Sequence, residues 1–309
     1  MIRALVTGAG GFVGKYLVRH LALSGRLVYA AGRSRPQFPP EIAQPVALDV
    51  TDPRSVVAAL LTTLPDEIYH LAAVAQPVGQ APGDYVRTNV EGTLNLLVAV
   101  AAHVPQGRLL VVTSGLAYGE CEDGPVVETA PLRPRGLYAA SKAAADLLAG
   151  AVGSVMPGVI RARPFNHSGP GQSANYLLGA ITRQAAEFRM GRREPIMELG
   201  NLHARRDFSD VRDVVAAYLV LMETGQPGEA YNVCSGRTVS VSELADLTMK
   251  VCGLSFEIRS VFRQRRVEDI VVAAGNNERL RALGWTPQFS LEGTILDTVT
   301  DWEERLGGI

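Results

Sequence analysis

Hydrophobic positions along this chain follow two rhythms. Short, almost unbroken apolar runs ("RALVTGA", "RLVYAAG", "PVALDV", "EIYHLAA", "RLLVVTS" and "GVIRARPF") alternate with longer stretches of helical spacing, beginning with "KYLVRHLALSG". Alternation of this kind predicts a parallel sheet with helices on both sides, and strands this apolar are expected where both faces are buried. From about Asn166 the rhythm loosens: Gly and Pro cluster in "NHSGPGQ", Arg becomes frequent and the elements shorten. "DVRDVVAAYLVLMETG" and "EAYNVCSG" then read as one more helix and strand returning to the sheet. The expected division is a larger unit over residues 1–165 with about 209–236, and a smaller α/β lobe over 166–208 and 237–309. Two helical segments, "VEGTLNLLVAVAAHV" and "YAASKAAADLLAGAV", carry apolar residues over more surface than one buried face needs, which implies a second packing partner.

Composition narrows the function classes. The 309 residues are 47% hydrophobic and 20% charged, with a formal net charge of -1, so a sizeable core is expected and neither nucleic acid nor a membrane surface is expected as a partner. Glycines break the start, "MIRALVTGAGGFVG", where a signal peptide needs a continuous apolar run, and no segment supplies ~18 consecutive apolar residues. A cytoplasmic protein is expected. Cys121, Cys234 and Cys252 are odd in number and scattered, which fits reduced thiols and no metal site.

The first chemical motif is "VTGAGGFVG", with Gly8, Gly11 and Gly14 between a strand and a helix. In that context small residues let the turn and the helix N-terminus, at Phe12 and Val13, approach a pyrophosphate, which points to a Rossmann-type, doubly wound sheet. At the end of the second strand an NAD-preferring site usually carries an acid for the ribose 2′-hydroxyl. Here the chain reads Gly32, Arg33, Ser34, Arg35, so a 2′-phosphate is the better match, with an exposed basic loop as the competing reading. NADP(H) is therefore expected in preference to NAD(H), which remains usable.

The second motif is "GLYAASKAAADLL", where Lys142, one of only three lysines, follows Tyr138 by four residues. At that spacing the two side chains share a helix face, and an ammonium beside a phenol is expected to lower its pKa. Ser114, at the end of the strand in "VVTSGLAYG", stands where open α/β sheets bind ligands and can hold a substrate oxygen beside the tyrosine. Singly, these are a turn serine and a snorkelling surface pair; together after a dinucleotide loop they read as catalytic.

With these motifs in place the chain resembles the extended short-chain dehydrogenases/reductases, the nucleotide-sugar epimerases, dehydratases and reductases, nearly end to end. The resemblance implies cofactor contacts from Gly8, Gly11 and Gly14, from Asp49 and Val50 in "LDV" at the adenine, from Leu71, Ala72 and Ala73 in "HLAA", and from Asn89 in "TNVEGT". "RPFNHSGPGQ", "GNLHARRDFSDVRDVV" and "YNVCSG" are most similar to the GDP-mannose 4,6-dehydratase group and, within it, to GDP-6-deoxy-4-keto-hexose reductases. By that similarity Asn166 and Arg206 contact the sugar nucleotide and His167 approaches the cofactor. In the family a later "RPxE" segment supplies an Arg to the diphosphate and an acid to a ribose; here the chain has "FRQRRVEDI", so the resemblance implies either Arg265 with Glu268 or Arg266 with Asp269 in those roles. Ala75 replaces a serine common in relatives. The resemblance further implies a homodimer formed through the two apolar helices.

The function expected from all this is NADPH-dependent reduction of the C4 ketone of a nucleotide-linked 4-keto-6-deoxyhexose, with Ser114, Tyr138 and Lys142 catalytic and Tyr138 and Lys142 also touching the cofactor. An epimerase that retains its cofactor uses the same three residues and stays open as an alternative. A non-catalytic dinucleotide sensor has no need for all three.

Overall fold

The computed structural model describes residues 1–75, 81–121, 124–156, 158–261 and 271–307. Its strands are β1 (Arg3–Thr7), β2 (Leu27–Gly32), β3 (Gln44–Ala47), β4 (Glu67–His70), β5 (Arg108–Val112), β6 (Val159–Pro164), β7 (Asn166–Ser168), β8 (Ile196–Leu199), β9 (Arg205–Asp210), β10 (Ala230–Val233), β11 (Thr238–Ser240), β12 (Glu257–Ser260) and β13 (Val272–Ala273). The helices are α1 (Phe12–Leu23), α2 (Pro53–Thr63), α3 (Pro82–Tyr85), α4 (Gly92–His103), α5 (Leu137–Gly153), α6 (Leu177–Arg189), α7 (Val211–Thr224), α8 (Val241–Cys252), α9 (Glu278–Arg281) and α10 (Leu291–Gly307). A π-helical turn, Val86–Glu91, leads into α4, and a 3₁₀ turn spans Gly115–Tyr118.

Seven strands form one parallel sheet in the order β10-β6-β5-β4-β1-β2-β3. The order reverses direction at β1, which creates a crevice above the carboxyl ends of β1 and β4. Strand alternation explains the apolar runs: Ala4 and Val6 face a cluster with Leu17, Leu21, Val214 and Tyr218 from α1 and α7. Leu5, between them, faces the other side with Val56, Leu96, Leu97 and Ala149 from α2, α4 and α5. Period two is present in the strands, but both phases are buried, so it does not show as a polar alternation. Helix α7 packs on α1, β5 and β6, and β10 closes the sheet beside β6.

A separate cluster built from Leu178, Ile181, Leu244, Ile295 and Trp302 joins α6, α8 and α10. Around it lie the parallel pair β8–β12 and a small sheet in which β9 pairs with β7, β11 and β13. No helix among the described residues is long and apolar enough to cross a membrane. On the outside of α4 and α5, Val98 is 60% and Leu147 63% exposed, so the apolar excess in those two helices does reach the surface.

Candidate functional site

A cavity of about 990 Å³ opens along the carboxyl ends of β1, β4, β5 and β6. Its floor on one side is the glycine turn. Gly8 has φ +71°, and a Cβ there would lie 2.8 Å from the Ala72 amide nitrogen, so the turn packs directly on the loop leaving β4. A Cβ on Gly14 would come within 2.4 Å of the Gly8 carbonyl. Both positions are held to glycine by backbone contact. Helix α1 starts immediately after, and Gly11 caps it without a side chain, so the first-turn amides of Phe12, Val13 and Gly14 face the cavity with the positive end of the helix dipole.

The basic turn after β2 sits against this loop. Arg35 adopts φ +48° and its amide bonds to the Gly32 carbonyl, while the Pro36 ring comes within 3.5 Å of where a Gly10 Cβ would be. Arg33, Ser34 and Arg35 are exposed, and neither guanidinium has a carboxylate partner among the described residues. Asp49 and Val50 do not line the cavity. Asp49 accepts from the Thr51 amide and hydroxyl at 2.9 and 2.8 Å, and Val50 packs on Gly92 at the start of α4. Leu71 and Ala73 line the cavity, whereas Ala72 is covered by Gly8. Asn89 is also off the wall. It is a buried clamp: its Oδ1 accepts from the Val74 amide at 2.8 Å and its Nδ2 donates to Ser141 Oγ at 2.9 Å.

Ser114, Tyr138 and Lys142 meet on the opposite wall. The Ser114 hydroxyl hydrogen-bonds the Tyr138 phenol and accepts from the Leu116 amide at 3.1 Å. The spacing of Tyr138 and Lys142 does not have the expected effect on the phenol. Tyr138 is not acidified; burial pushes its pKa up to about 12, and the bond from Ser114 only partly opposes this. Lys142 is 5% exposed and donates to the Val112 carbonyl at 2.8 Å, which aims its ammonium at the strand end. Burial lowers Lys142 to about 8. The resting phenol is therefore protonated, the form that can donate to an oxyanion.

Pro164, Phe165, Asn166 and His167 form the far end of the cavity. His167 donates Nδ1–H to the Phe165 carbonyl at 2.9 Å and stacks on Phe12 with ring centroids 6.4 Å apart, so it joins the β6 end to the glycine loop. Burial lowers its pKa, which keeps the imidazole neutral. Arg206 lies outside the cavity wall, with its guanidinium on the Arg205 and Val271 carbonyls at 2.9 and 3.2 Å. Arg265, Arg266, Glu268 and Asp269 fall outside the described residues.

Several wall residues carry no motif and were not anticipated. Tyr16 donates to the Pro170 carbonyl at 2.8 Å, and Asp301, from the last helix, accepts from the Gly171 amide at 2.8 Å. Together they pin the "SGPGQ" loop between α1 and α10. Tyr176, Leu177 and Phe208 add an apolar surface beside it. The Gly/Pro cluster signalled a special loop; its partners, 130 to 154 residues away, had no local signal.

The sequence model of the family described as GDP-mannose 4,6 dehydratase matches residues 5–298. The chain is 37% identical to GDP-6-deoxy-D-mannose reductase of Pseudomonas aeruginosa, over 98% of each protein. It is 30% identical to UDP-glucose 4-epimerase of Streptomyces lividans, covering 92% of this chain and 91% of that one. Among solved structures, RMD from Pseudomonas aeruginosa complexed with NADPH superposes with a TM-score of 0.86 at 34% identity, over 99% of this chain and 100% of that one.

Proposed function

This chain belongs to the GDP-mannose 4,6-dehydratase family, and from that premise we propose that it is an NADPH-dependent 4-ketoreductase of a GDP-linked 4-keto-6-deoxyhexose, forming GDP-D-rhamnose. The observation that carries the reading is the wall around Tyr138: a protonated phenol hydrogen-bonded to Ser114, with Leu116 rather than an acid on the turn beside it. Among the described residues Asp301 is the one carboxylate lining the cavity, and it is already bonded to Gly171 and Arg305. Such a wall can hold a ketone oxygen and protonate it, which is what reduction requires. The likeness to a reductase over 98% of both chains supports the same choice.

The residues fit a dinucleotide. The glycine cradle leaves no room for side chains where a pyrophosphate would approach, the α1 amides face it, and Arg33 and Arg35, on the turn after β2, have no carboxylate partner among the described residues. When bound, the nicotinamide supplies the hydride. Ser114 Oγ holds the ketone oxygen, the Tyr138 hydroxyl gives up its proton to that oxygen as negative charge develops, and the Lys142 ammonium stabilises the charge from behind. Leu71 and Ala73 give one side of the cleft an apolar lining. The test is a panel of GDP-, dTDP- and UDP-linked 4-keto-6-deoxy sugars with NADPH, followed by cofactor oxidation. Stoichiometric oxidation with a GDP-linked ketone is expected; sugar interconversion without release of oxidised cofactor would make the chain an epimerase.

Two further properties belong to this reading. Arg33→Ala with Arg35→Ala should abolish a preference for NADPH over NADH of about tenfold to a hundredfold, because one charge-assisted pair to a phosphate is worth ~1.5–3 kcal/mol. NADH use should change little, and equal wild-type efficiency with both cofactors would refute the assignment. The exposed Val98 and Leu147 belong to a face that a second copy covers in a homodimer. Sedimentation as a monomer at micromolar concentration would contradict this.

A further inference from the structure

His70 is the last residue of β4, just before the cavity-lining Leu71, is 2% exposed, and has no role in the chemistry above. Both of its ring nitrogens are bonded. Nδ1 lies 2.8 Å from Thr7 Oγ1, and Nε2 lies 3.0 Å from Thr93 Oγ1. The protons can be assigned because each hydroxyl has a second partner. Thr93 donates its hydrogen to the Asn89 carbonyl at 2.7 Å, so it can only accept from His70, and Nε2 must carry a proton. Thr7 accepts the Ala72 amide at 3.2 Å and keeps its hydrogen for Nδ1. Burial, with the Lys142 charge adding to it, pushes the imidazole pKa down to about 3, in keeping with this single neutral tautomer.

The bonds form a directed line through the site. It begins at the Ala72 amide, the atom against which Gly8 packs at the bottom of the glycine turn. It passes through Thr7, His70 and Thr93 to the main chain of Asn89. The Asn89 side chain holds Val74 on one side and donates to Ser141 on the other, and Ser141 donates to the Tyr138 carbonyl at 2.8 Å. β1, β4, the π-turn before α4 and the start of α5 are thus referenced to one imidazole. Resting on the proposed function, we propose that His70 is a positioning residue that sets the register between the dinucleotide cleft and the Tyr138 hydroxyl.

Displacements of about 1 Å between bound reactants can lower rates by up to ~10²-fold. Two variants test the idea. His70→Leu keeps bulk but loses both bonds. His70→Gln presents an acceptor and a donor about as far apart as the two ring nitrogens. For the Leu variant, turnover per folded molecule should fall about tenfold or more. Its KM for the keto sugar should stay within a fewfold, and a larger primary isotope effect should appear with NADPH deuterated at the transferred position. The Gln variant should recover most of that loss. A packing role alone would lower the melting temperature of both variants without separating their turnover, and that result, or wild-type turnover in His70→Leu, would overturn the proposal. NADPH binding, read from cofactor fluorescence in the same variants, needs no sugar. If the wild type reduces none of the panel, the functional assignment fails, while weaker NADPH binding by the Leu than the Gln variant would still support His70's role and equal binding would oppose it.

Discussion

Replacing Tyr138 with Phe should lower turnover by roughly 10²-fold or more while leaving NADPH binding intact. The ring is retained, including its edge-on contact with Tyr85 at 6.4 Å between centroids, so the change is confined to one hydroxyl and its bond to Ser114. Activity within a fewfold of wild type would remove Tyr138 from the mechanism. The pH profile separates its role from that of Lys142. Because burial raises the phenol to about 12, Tyr138 remains a proton donor throughout the working range. Lys142, lowered to about 8, is an ammonium below that pH and an amine above it. The charge that stabilises the developing alkoxide is therefore lost as pH rises, and kcat should fall on an alkaline limb near 8. Lys142→Met should abolish that limb and, by leaving the Val112 carbonyl without its donor, loosen the end of β5. A limb unchanged in Lys142→Met would assign it to another group.

Given GDP-mannose and oxidised cofactor, the protein should form no 4-keto-6-deoxy product, although its family takes its description from a dehydratase. Elimination of water needs a base for the C5 proton and an acid for the C6 hydroxyl. The turn after Ser114 is Gly115, Leu116 and Ala117, none of which has an ionisable side chain. Packing constrains the first of these: a Cβ on Gly115 would lie 2.7 Å from the Phe165 ring, so any side chain there must displace that ring. Ala117 is fully buried, leaving Leu116 as the residue of this turn that reaches the cavity. Positioned acid-base help is worth ~10² to 10⁴-fold per group, so its loss should leave elimination negligible beside reduction. Loss of water at a useful rate, seen by mass spectrometry, would overturn the reductase reading and require a base from beyond the described wall.

What the sequence determined by itself is whatever rests on neighbours along the chain. Apolar runs and helical spacing specified a doubly wound parallel sheet, because burial of both sheet faces writes itself into each strand. The glycines at 8, 11 and 14 specified the cradle, because tight turns and close backbone approach are demands on single positions. Tyr138 and Lys142 share a face by helix geometry alone, and Ser114 follows from its place at a strand end. Tertiary structure decided where the side chains of those residues point and what they meet. Four-residue spacing places Lys142 beside Tyr138, but only the position of β5 directs its ammonium to the Val112 carbonyl and leaves the phenol protonated. Asn89 matches a cofactor motif yet becomes a clamp between Val74 and Ser141, and Arg206 turns to main-chain carbonyls outside the cavity. The contacts of His70 with Thr7 and Thr93 lie 63 and 23 residues apart in sequence. Periodicity carries no record of such pairs, because a buried polar group is satisfied by whichever partner the packed elements bring within about 3 Å, and that is a property of the assembled fold.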